Sequence, residues 1–135
     1  MVTQIQDKQS RNSGTETILV VEDERAILHI LETILTKSGY KIVAADTPEK
    51  ALAHVQKNPD KFDLLITDVI MPGMNGSELV DRIRTHKKSI KFLYISGYTS
   101  DIISDMDNDG TEINLLQKPF SASDLCKRVR EILDA

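Results

Sequence analysis

Five short apolar runs, rich in β-branched residues, alternate with amphipathic stretches, and this alternation restricts the possible folds more than any other feature of the chain. The runs are Thr17–Val21, Tyr40–Ala45, Phe62–Thr67, Ile90–Ile95 and Ile113–Leu116. Each is too short for a helix, and Ile18-Leu19-Val20-Val21 has no polar face, so this strand should be buried on both sides. The stretches between them carry a helical period. Ile27, Ile30, Leu31, Ile34 and Leu35 keep i, i+3, i+4, i+7, i+8 spacing, and Gly39 stands where a helix C-cap belongs. Thr47-Pro48 predicts an N-cap followed by proline in the first turn, with Ala51, Leu52 and Val55 turned inward. Ser77–Thr85 predicts a third helix with Leu79, Val80 and Ile83 on one face, and residues 99–106 carry only a weak helical signal. Ser121 and Asp124 form a capping-box variant that opens a last helix with Leu125, Val129, Ile132 and Leu133 as its buried stripe. Strand and helix alternating in this way predict an α/β domain, a doubly wound parallel sheet with right-handed crossovers. The pattern does not select a strand order, and both common doubly wound orders fit it.

At 135 residues the chain is long enough for one domain with a single well-filled core. Residues 1–16 are polar and without period, a disordered lead-in or linker, and the domain is expected over 17–135. No apolar run approaches the roughly 20 residues of a membrane span, and the N-terminus has no apolar leader. The single cysteine, Cys126, has no internal partner, which agrees with a reducing, cytoplasmic setting. A net charge of -4 leaves no large basic footprint for nucleic acid.

The chemistry gathers at the strand ends. Strand one runs into Glu22-Asp23, strand three into Asp68, strand four into Ser96 and strand five into Lys118. In open α/β sheets ligands bind at the carboxyl ends of strands. Three carboxylates in one place repel one another by about 4 kcal/mol per close pair at an effective dielectric of ~20. A divalent cation among them relieves that repulsion, and an all-oxygen set without thiolate or imidazole points to Mg²⁺. Asp68 sits between the apolar Leu64-Leu65-Ile66 and a loop broken by Pro72, Gly73, Asn75 and Gly76, which suits a phosphoryl acceptor. Ser96 offers a hydroxyl and Lys118 a positive charge to the oxygens of an acyl phosphate.

Val21-Glu22-Asp23-Glu24, Thr67 to Gly76 (TDVIMPGMNG), Ile95-Ser96-Gly97-Tyr98 and Lys118-Pro119-Phe120, in this order, resemble the motifs of response-regulator receiver domains. The resemblance covers about Thr17 to Leu133. Leu115 to Phe120 and Ile95 to Tyr98 look most like the C-terminal receivers of hybrid sensor histidine kinases. It implies a flavodoxin-like five-stranded sheet in the order 2-1-3-4-5, an order that general knowledge of the fold also associates with receivers. It implies that Asp68 takes a phosphoryl group from a histidine of a kinase or phosphotransfer domain, with Mg²⁺ held by Glu22, Asp23, Asp68 and the Ile70 carbonyl. It implies that Ser96 is the switch hydroxyl and Lys118 the phosphate-pairing lysine. The output would be a shift of the face built from residues 99–106, the fifth strand and the last helix, which also offers a homodimer surface. Such a domain is a signalling receiver, not an enzyme acting on an external substrate, and makes no membrane contact of its own. Two positions depart from the family pattern. Leu115 stands where an aromatic switch residue is usual, three before the lysine, so signalling is expected to rely on loop and helix shifts beyond Ser96. Ile70 cannot orient an attacking water, so slow self-dephosphorylation is expected.

Other readings fit less of the chain. An aspartate-based phosphatase needs a second carboxylate two residues after its nucleophile, where Ile70 stands. A flavin or nucleotide binder needs a Gly/Ser/Thr-rich phosphate loop after strand one, where Glu22-Asp23-Glu24 would repel phosphate. A pseudo-receiver acting only as an interaction module leaves the acidic set unexplained. Asp105 to Gly110 matches half of a calcium loop, but its twelfth position is Leu116 instead of glutamate, so a solvated acidic loop is the simpler reading. His29, His54 and His86 share no ligand spacing and read as surface or helix-exit residues.

Overall fold

Alternation inside each apolar run decides which helices its residues meet. In a computed structural model of the chain, which describes residues 12–97 and 114–135, the runs form β1 (Thr17–Val21), β2 (Lys41–Ala45), β3 (Leu64–Asp68), β4 (Lys91–Ser96) and β5 (Leu115–Gln117). All four pairings are parallel and the order is β2-β1-β3-β4-β5. Leu19, Val21, Leu65 and Tyr94 face one cluster, which Ala51, Val55, Leu79, Val80 and Ile83 complete. Ile18, Val20, Leu64, Ile66, Leu93 and Ile95 face the other, with Leu31, Leu35, Leu125, Val129 and Ile132. The helices are α1 (Arg25–Lys37), α2 (Pro48–Lys57), α3 (Gly76–Arg84) and α4 (Ala122–Asp134). Thus α2 and α3 cover one face, and α1 and α4 the other. Ile18, Leu19, Leu64, Leu65 and Ile66 are all 0% exposed, so the central strands are buried on both faces. Each such side chain is worth roughly 1.5–3 kcal/mol of apolar burial.

Local signals set the helix ends. Tyr40 N–H donates to the Leu35 carbonyl and Gly39 N–H to that of Thr36, a Schellman closure of α1, and Gly39 takes the φ of +100° that the motif requires. Thr47 Oγ1 accepts from Lys50 N–H at 3.2 Å, and Pro48 opens α2. Ser121 and Asp124 exchange both bonds of the capping box on α4. Ile30 differs from the expected buried stripe and is 51% exposed. One residue turns the helix by ~100°, so with Leu31 and Leu35 facing the sheet Ile30 is carried out to the flank.

Bounds moved by a residue or two. The sequence places Asp68 in a loop, whereas it is the last residue of β3, because its backbone still pairs with Ile95 of β4. The third helix begins at Gly76, not Ser77, with Asn75 as its N-cap, the side chain accepting from Glu78 N–H at 2.9 Å. The weak helix at 99–106, the acidic loop at 105–110 and Ile113 lie outside the described residues. Residues 13–16 are bonded to the domain: Gly14 N–H donates to the Ser38 carbonyl, and Arg130 to the Ser13 carbonyl and Glu16. Among the described residues, no helix is long and apolar enough to cross a membrane.

Candidate functional site

Strand register brings the polar strand ends to one edge of the sheet. Val21 pairs with Thr67, Asp68 with Ile95 and Ser96 with Gln117, so Glu22, Asp68, Ser96 and Lys118 emerge from four adjacent strands at nearly one level. Backbone bonds extend the rungs beyond the strands. Glu22 N–H donates to the Ala45 carbonyl at 3.1 Å, and Lys118 N–H to the Ser96 carbonyl at 2.8 Å. The peptide between Lys118 and Pro119 is cis.

Glu22, Asp23 and Asp68 each offer a carboxylate oxygen within 4.8 Å of the other two. Glu22 is 1% exposed, Asp68 lies partly buried, and Asp23 is open to solvent. Lys118 reaches in from β5, its Nζ 3.0 Å from Glu22 Oε1 and 3.5 Å from Asp68 Oδ2. One ammonium thus serves two carboxylates. Burial pushes the Glu22 carboxyl up to about 7 against the pull of Lys118, and the neighbouring Asp68 charge adds to the rise. Burial works against the Lys118 ammonium, but Glu22 and Asp68 outweigh it and hold the lysine above its ordinary value. A cluster of hard oxygen donors with excess negative charge, and with no imidazole or thiolate in it, fits a small divalent cation such as Mg²⁺.

The remaining expected residues are Ser96, Ile70 and Leu115. Ser96 is 2% exposed at the end of β4. Ile70 turns its side chain to solvent at 58% exposure, so only its backbone carbonyl can serve a cation. Leu115, partly buried, pairs with Tyr94 and packs on the α2–α3 side of the sheet. Two residues that the sequence reads only as loop breakers have specific roles in shaping the acceptor loop. A Cβ on Gly76 would lie 2.5 Å from the Asp68 carbonyl oxygen, so only glycine allows the start of α3 to approach β3 so closely. Asn75 caps that helix, and the spacing to Glu78, an N-cap residue followed three positions later by glutamate, is the signal that would have found it. Gly73, at φ +84°, lies in the turn between β3 and α3.

Comparison with known proteins agrees with the fold. Residues 18–130 match the model of the response regulator receiver domain family. The chain belongs to this family, whose members are the receiver domains of two-component systems. It is 32% identical over 128 residues to the sensor kinase CckA of Brucella abortus (strain 2308), covering 95% of this chain but 14% of that protein. It is 30% identical over 118 residues to the response regulator receiver protein CpdR of the same strain, covering 87% of this chain and 97% of that one. Among solved structures, the receiver domain of the hybrid histidine kinase CckA superposes with a TM-score of 0.74 at 34% identity, covering 87% of this chain and 98% of that domain. The Vibrio cholerae chemotaxis protein CheY4 superposes with a TM-score of 0.78 at 29% identity, covering 88% and 99%.

Proposed function

We propose that this receiver accepts a phosphoryl group on Asp68 from a phosphohistidine of a histidine kinase or phosphotransfer domain, in a Mg²⁺-dependent reaction. The observation that carries the reading is the Asp68 carboxylate at the end of a central strand, with Lys118 Nζ 3.5 Å away and two further acids within 4.8 Å. The donor's imidazole takes a proton from solvent on its other ring nitrogen, an Asp68 oxygen attacks phosphorus, the phosphorus–nitrogen bond breaks, and the imidazole leaves as the neutral ring. The product is a mixed anhydride on the Asp68 side chain. Lys118 pairs with the transferred group, and the Ser96 hydroxyl donates to one of its oxygens. Glu22, Asp23, Asp68 and the Ile70 carbonyl would hold Mg²⁺, which when bound offsets the negative charge meeting at phosphorus. The chain's own contribution is position and charge, without turnover of an external substrate.

Output through the face of β5, α4 and residues 99–106, including homodimer formation there, belongs to the same reading, as does a cytoplasmic location. Leu115 cannot act as an aromatic rotamer switch, so the signal passes by backbone shifts beyond Ser96.

Incubation with acetyl phosphate and Mg²⁺ followed by intact mass tests the centre of the proposal. The wild type should gain one phosphate and Asp68→Asn none; equal gain in both would reject Asp68 as the acceptor. After desalting, the phosphate should persist for minutes or longer, since the Ile70 side chain offers no hydrogen bond to water. Loss within seconds would contradict that part.

A further inference from the structure

The peptide bond that follows Asp68 is gripped at both ends. Its N–H, on Val69, donates to the Ile95 carbonyl of β4 at 3.1 Å. Its carbonyl, on Asp68, lies past the last paired rung between β1 and β3, Val21 with Thr67. There the Thr67 hydroxyl donates to it at 3.0 Å. Thr67 is 0% exposed and follows three apolar residues of β3, so its hydroxyl is one of the few polar groups in the sheet interior. A valine would fill the same volume and suit a buried strand as well, without a hydroxyl to satisfy. The same oxygen lies 4.0 Å from Met71 Sδ, which links the end of the strand to the fourth residue after it. A side chain at Gly76 would collide with the same Asp68 carbonyl, and the Gly76 N–H donates to the Val69 carbonyl at 2.7 Å.

We propose that Thr67 is a positioning residue for phosphoryl transfer. Its hydroxyl sets the orientation of the Asp68–Val69 peptide and so the direction in which the Asp68 carboxylate leaves the strand. The role rests on the reading of Asp68 as the acceptor, and Thr67 acts through Asp68 without touching the phosphoryl group. A reacting carboxylate must be aligned to a fraction of an ångström, and a displacement of about 1 Å costs on the order of a hundredfold in rate. Thr67 holds the backbone from which that alignment starts.

Thr67→Val removes the hydroxyl and keeps the shape; Thr67→Ser keeps the hydroxyl. Phosphate uptake is followed by intact mass at saturating Mg²⁺ over a range of acetyl phosphate concentrations, with thermal melts confirming that each variant is folded at the assay temperature. Thr67→Val should lower the maximal rate about tenfold and leave the half-saturating concentration unchanged, while Thr67→Ser stays within about threefold of wild type. A wild-type maximal rate in Thr67→Val overturns the role. So does a Thr67→Ser variant as slow as Thr67→Val, because packing and not the hydroxyl would then set the rate. Asp68→Asn, run in parallel, separates the two levels. If the wild type takes up no phosphate, or Asp68→Asn takes up as much, the acceptor reading fails and this role with it. If only the wild type is modified among those two and Thr67→Val matches it, the positioning role alone fails.

Discussion

The two ends of the sheet treat charge in opposite ways. At the amino end two acids also share one cation, but its guanidinium gives each of them a pair of hydrogen bonds. Arg130 donates to Glu16 at 2.6 Å, to Asp134 at 2.8 Å and to the Ser13 carbonyl at 3.0 Å. Lys91 caps the end of α4 through the carbonyls of Leu133 and Ala135, and Asp63 accepts the N–H of Thr17. At the carboxyl end, Glu22 and Asp68 share one lysine, and Asp23 stands beside them. The amino end is arranged for stability. The carboxyl end holds a surplus of negative charge that the fold alone leaves unbalanced, which is the arrangement expected of a cation and phosphoryl site.

That contrast is open to attack by substitution. Removing the shared cation should give the largest effect. Lys118→Met leaves the buried Glu22 beside Asp68 without an ammonium, and should cost about 3 kcal/mol in urea unfolding without divalent cations. A loss within error of zero would mean that the carboxyl end is not strained by its acids.

Neutralising one acid at each end should then give opposite signs. Without divalent cations, Asp68→Asn relieves repulsion on Glu22 and should raise stability by about 1 kcal/mol, a few degrees in Tm. Glu16→Gln weakens the bidentate pair with Arg130 and should lower stability by about 1 kcal/mol. Changes of the same sign would erase the distinction between the two ends.

The smallest effect is in the pH dependence of the amino end. The Arg130 hydrogen bond holds the Glu16 carboxyl below its ordinary value of 4.5. A carboxyl depressed in the folded state gives stability that is present above its unfolded value and lost as pH falls through the folded one. The gap in Tm between wild type and Glu16→Gln should therefore be constant above pH 4.5 and shrink below it. A gap that widens in acid would show that Glu16 is not the group responsible.

Much of this was legible in the sequence, for a definable reason. Strand ends, the caps at Thr47 and Ser121, and the polar residues after each strand are local features, and a parallel sheet turns a repeated local feature into one shared edge. Hence Glu22, Asp68, Ser96 and Lys118 could be assembled from their places in the chain. What stayed hidden depends on distance or on a single atom. Arg130 and Glu16 are separated by 114 residues, and nothing near either one announces the other. Lys118 Nζ lies 3.0 Å from Glu22 and 3.5 Å from Asp68, a difference that no spacing in the chain encodes. The apolar spacing of α1 held, yet could not say which flank Ile30 would occupy until the sheet beneath it was known. Thr67 looked like one more β-branched strand residue, and only the backbone beyond β3 gives its hydroxyl a task.

The anchoring of Ser13 and Ala135 at the same edge carries a consequence for architecture. Arg130 holds the first and Lys91 the second, and both points lie across the full length of the strands from Asp68. The backbone therefore meets the described domain at Ser13, and reaches Ala135, on the side of the sheet away from Asp68.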